Sequence, residues 1–64
     1  MNMDKAVYVG VVRSTIKMMF LLAVEHGDFN LNENLADYYN KALKKEGVIS
    51  KNEYINLCNS VINK

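Results

Sequence analysis

The sequence contains no proline and no tryptophan, one cysteine, one histidine and three glycines. Each scarcity closes a route. Cys58 stands alone, so an internal disulfide is impossible, which fits a reducing compartment. His26 is the sole histidine, so no ordinary zinc site can be assembled. Chains of this size often lean on disulfides, metals or self-association. Here only tight helix packing or self-association is left, in what the 64 residues make a single domain spanning 1–64.

Charge of either sign is also scarce. Eight basic and seven acidic side chains leave a formal net charge of +1. That balance argues against an acidic nucleic-acid mimic and against a protein that coats DNA by charge alone. The longest apolar stretch, Ala6 to Val24, carries Arg13 and Lys17 near its middle, where a bilayer penalises them, so no membrane span is expected. Asp4 stands where a leader peptide would be basic, and no small-x-small cleavage site follows. The expected location is the cytoplasm. Asparagine and lysine are frequent, as in the short proteins of AT-rich bacteria, their phages and their plasmids.

Two glycines punctuate the chain. Gly27 and Gly47 each follow an apolar-periodic run and suit the left-handed position past a helix end. Asn30 with Glu33, and Ser50 with Glu53, have the spacing of capping boxes. Lys44 and Lys45 complement the dipole at the end of the second run. The pattern predicts an all-α, three-helix bundle or orthogonal arrangement, possible as a dimer. Its helices are expected at about 4–26, 31–46 and 51–63.

The second helix is amphipathic, with Leu31, Leu35, Tyr38, Tyr39, Ala42 and Leu43 on one side. The third gathers Tyr54, Ile55, Leu57, Cys58, Val61 and Ile62, while Val48 and Ile49 are placed to plug one end of the core. The first helix is different. Tyr8, Val11, Val12, Ile16, Met19, Leu22 and Ala23 form a core stripe, yet Phe20, Leu21 and Val24, with Met18 at the border, fall outside it. A helix apolar nearly all round is normally buried on all sides. At about 34 Å it also outruns its two shorter neighbours. Either Phe29, Val48 and Ile49 fold over the surplus, or the three helices wrap it tightly, or it docks on another chain.

Other patterns carry less. Asp28-x-Asn30-x-Asn32 imitates the start of a calcium loop, but Glu33 replaces the required glycine and Tyr39 the closing glutamate, so it reads as a helix cap. His26 reads as an end cap and Cys58 as a small buried hydrophobe. No carboxylate pair, glycine-rich phosphate loop or nucleophile motif is present, so an enzyme is not expected, nor is a cofactor. Arg13 and Lys17 make a short basic stripe, and Asn52, Asn56, Asn59 and Asn63 line one side of the third helix. Asparagine can read adenine in a major groove.

The expected function is therefore a small protein-binding module, acting on a protein partner or on itself as a homodimer. Its anchors are Met18, Phe20, Leu21 and Val24. A phage or mobile-element inhibitor or adaptor that occludes a bacterial host protein is the setting this composition favours. The alternative is a helix-turn-helix regulator in which helix 51–63 enters DNA. Arg13, Lys17 and Lys51 would then touch phosphates, and Asn52, Asn56 and Asn59 would touch bases.

Overall fold

The computed structural model describes residues 4–27 and 30–63. Those residues form an all-α fold of three helices: α1 Lys5–His26, α2 Leu31–Tyr38 and α3 Lys51–Ile62. The expected roles of Asp28 in a calcium-like loop and of Phe29 as a cover fall outside the described residues. The molecule measures 37 × 21 × 20 Å. Its long axis is α1, about 33 Å at 1.5 Å per residue, and both shorter helices pack against it.

Each helix end has a local cause. The Asp4 carboxylate accepts the Ala6 N–H at 3.1 Å and opens α1. Gly27 closes it in the left-handed region, φ 67°, and Gly47 takes φ 66° before the last connection. Ser50 and Glu53 form the reciprocal capping box at the start of α3: Glu53 N–H donates to Ser50 Oγ, and Ser50 N–H to the Glu53 carboxylate. Asn30 precedes α2 as expected, but its side chain makes no capping hydrogen bond to that helix.

The second helix departs from the expected continuous run to residue 46. After Tyr38 it widens into a π turn over Tyr39–Leu43, in which Lys44 N–H donates to Tyr39 O at 2.8 Å. The wider turn rotates the residues beyond it backwards relative to an α-helix. Ala42, central to the apolar side of an ideal α wheel, turns to solvent, and Leu43 swings in to 4 % exposure. Burying leucine in place of alanine gains three carbons, about 2 kcal/mol at 0.8 per methylene, which offsets the weaker π geometry.

Val12 and Ile16 of α1 meet Leu35, Leu43, Ile49, Tyr54, Leu57 and Cys58 in one cluster. Tyr54 is its polar pin. At the α-to-π junction the Tyr39 N–H is shared between the Leu35 and Ala36 carbonyls. The Leu35 carbonyl completes its bonding by accepting the Tyr54 hydroxyl at 2.7 Å. Tyr38 meets the Tyr54 ring edge-on at 6.1 Å, and Tyr39 lies tilted at 5.2 Å. Lys5 and Glu53, 2.9 Å apart, tie the start of α1 to the start of α3.

Candidate docking surface

The core uses one narrow stripe of α1. Only Val12, Ile16 and Ala23 of its residues are buried, with Tyr8, Val9, Thr15, Met19 and Phe20 half-buried beside them. At about 100° per residue, Val7, Ser14 and Met18 project from the opposite side. All three are exposed, and so are Gly10, Val11, Leu21, Leu22 and Val24 around them. Met18 is 58 % and Leu21 51 % exposed, values proper to the surface of a helix with no neighbour there.

The structure departs from the expected core stripe and anchor set of α1. Val11 and Leu22 belong to the outer face and not to the core stripe, being 53 % and 47 % exposed. α2 and α3 approach from the Val12–Ile16 side and do not reach round to them. Phe20, expected as an anchor with Leu21 and Val24, is half-buried on the flank nearer the core. Val48 and Ile49 are taken up by the core end and leave the outer face open. Val7, Gly10 and Ser14 complete this face. The signal that finds them is a repeat of seven, Val7–Ser14–Leu21, with Gly10 or Val11 and Lys17 or Met18 between.

By length and composition α1 is also apolar enough to cross a membrane, and of its most apolar 18 residues only 17 % are buried. A core helix of a compact domain is mostly covered; this one is mostly bare.

The residues considered for DNA are divided. Asn52, Asn56, Asn59 and Asn63 are all exposed along the side of α3 away from the core. Arg13 and Asn56 line a groove between α1 and α3, together with Glu53, whose charge opposes a phosphate. Lys51 and Asn59 line a different groove, between α2 and α3. Lys17 lines neither.

That second groove, about 320 Å³, has Leu35, Tyr39, Ile55 and Cys58 among its walls. Its chemistry is quiet. Burial pushes the Cys58 thiol up, which keeps it protonated and weakly nucleophilic at neutral pH. Burial likewise raises Tyr54, whose hydroxyl is committed to Leu35. Among the described residues, no three acidic, histidine or cysteine side chains gather closely enough to hold a metal ion. No protein-family model, characterised protein or solved structure matches the chain.

Proposed function

We propose that the chain is a non-enzymatic interaction module that acts by laying the outer face of α1 against an apolar surface of another protein chain. One observation carries the reading: the side of α1 turned away from its own core exposes Val7, Val11, Met18, Leu21, Leu22 and Val24, with Ser14 and Lys17 the polar residues among them. The largest contiguous apolar patch on a small protein is often its contact site. Met18, Leu21 and Val24 are the anchors, and Met18 can adapt its shape to the partner. The mechanism is steric: the docked helix covers a surface that something else needs. An inhibitor or adaptor from a phage or mobile element, acting on a host protein, is the setting that the composition favours.

The test is a double change, Leu21→Glu with Val24→Glu, followed by solution mass and by capture of proteins from lysate of the source cells. The reading expects self-association or capture to be lost while the helical spectrum stays. Unchanged mass and unchanged capture refute it.

A membrane reading rests on the length and composition of α1. Crossing would place Arg13 and Lys17 near the bilayer centre, at about 2.5–3.5 kcal/mol each, and would strip Val12 and Ile16 from their partners in α2 and α3. Lying on the surface costs less, but the cations flank only one side of the outer face. Co-sedimentation with phosphatidylglycerol vesicles is the decisive measurement for this option. The helix-turn-helix alternative has its amides together on the outer side of α3, but Arg13 and Lys51 line different grooves and Lys17 lines neither. Its check is retention on DNA at low salt.

A further inference from the structure

Resting on that reading, we infer that the occupant of the outer face is a second copy of this chain, packed with its α1 antiparallel and crossing at Ser14. Area is the first argument. The exposed parts of Val7, Val11, Met18, Leu21, Leu22 and Val24 amount to roughly 500 Å², so two copies hide at most about 1,000 Å², the size of a weak, reversible contact. A single copy commits only three residues of its longest helix to burial, and self-association is one of the supports that small domains use.

Shape fixes the direction. The strip has a low middle, Gly10 and Ser14, and high ends, with nothing within 4 Å of the position a Gly10 side chain would take. Antiparallel packing about Ser14 sets Met18 of one copy over Gly10 of the other, and Leu21 over Val7. Large meets small and the backbones approach closely. Parallel packing in register stacks Met18 on Met18 and brings Glu25 against Glu25, which repel. The antiparallel pair is isologous and closes on itself, leaving no apolar strip for further addition.

The experiment is sedimentation of the full chain across micromolar to millimolar concentration, wild type beside Gly10→Leu and Leu21→Glu. Twice the 7.3 kDa chain mass is expected for the wild type. Gly10→Leu improves helix propensity and adds apolar surface, yet fills the saddle. A fall of tenfold or more in self-affinity with the fold retained supports close packing at Gly10. Tighter association of Gly10→Leu overturns it. With Cys58→Ala as background, oxidising a mixture of Gly10→Cys and Met18→Cys chains should link the two different chains; links only between identical chains overturn the antiparallel order. A monomeric wild type whose partner capture is lost in Leu21→Glu overturns the second copy but spares the docking face. A monomer indifferent to Leu21→Glu in mass, capture and vesicle binding removes both.

Discussion

Neighbouring valines on α1 separate the core from the outer face. Val12 is 1 % exposed and Val11 53 %. Alanine removes two carbons from either. At Val12 the transfer loss is about 1.6 kcal/mol, and the cavity left behind brings the total to about 2–3 kcal/mol. At Val11 about half of that apolar area already faces water, and alanine's better helix propensity returns about 0.5 kcal/mol, so the net change stays within about 0.5 kcal/mol of zero. In a domain this small one kcal/mol moves Tm by about 4–8 °C, so Val12→Ala melts about 10 °C or more below wild type and Val11→Ala melts beside it. Far-UV circular dichroism on dilute protein, with urea midpoints alongside, reads the contrast. Repeating it at high concentration adds the second half: association stabilises the wild type by mass action, and Val11→Ala then falls behind. Equal damage from the two substitutions in dilute solution would refute the reasoning, because Val11 would then be packed inside the monomer.

Three further outcomes follow from the core and the caps. Tyr54→Phe removes the hydroxyl that serves the Leu35 carbonyl and should cost about 1–2 kcal/mol by urea unfolding, with the helical spectrum kept. Leu43→Ala should cost about 2–4 kcal/mol, whereas Ala42→Leu, which points to solvent, should cost almost nothing; the reverse ranking would mean that the second helix stays α-helical past Tyr38. The Ser50 backbone hydrogen bond, then the bonds from Lys5 and Ser50 Oγ, hold Glu53 down at about 2. A depressed carboxyl stabilises the fold at pH values above its unfolded value of about 4.3, and that share is lost as pH falls toward about 2. Glu53→Gln should therefore flatten the acid limb in that window, and salt should weaken only the Lys5 part, as an NMR titration of the Glu53 carboxyl can follow.

The helix ends were legible because they depend on single residues. Gly27 and Gly47 announce a left-handed backbone, and Ser50 with Glu53 a reciprocal cap, whereas Asn30 with Glu33, at the same spacing, forms no side-chain cap on α2. The orientation of α1 was not legible in the same way. A helix apolar on nearly every side has no periodic signal to say which side faces inward. The side is set by where Leu35, Tyr54 and Leu57 arrive from the other helices. Val11 and Leu22 were assigned to the core for that reason, although the surplus itself was visible in Leu21 and Val24. The π turn was hidden by the same logic. Wheel geometry favours Ala42 inside, and only the larger side chain of Leu43, weighed against a looser turn, reverses it.

Salt separates the partners proposed for α1 by the sign of its effect. A twofold axis relating two antiparallel helices keeps each flank on its own side, so Arg13 and Lys17 of both copies come to the same rim. Helices in contact lie about 8–10 Å apart, and two like charges about 10 Å apart in water repel by about 0.4 kcal/mol. Four cross pairs of this kind, partly screened, oppose the dimer by about 1 kcal/mol at 20 mM salt and by about a third of that at 300 mM. The dimer should therefore tighten about threefold over that range in sedimentation equilibrium. Binding to DNA or to anionic vesicles runs the other way, since the same four cations would be neutralising phosphate. Weakening of self-association with added salt would mean that attraction between opposite charges joins the copies, and the apolar strip of α1 would have to be read as something other than their contact.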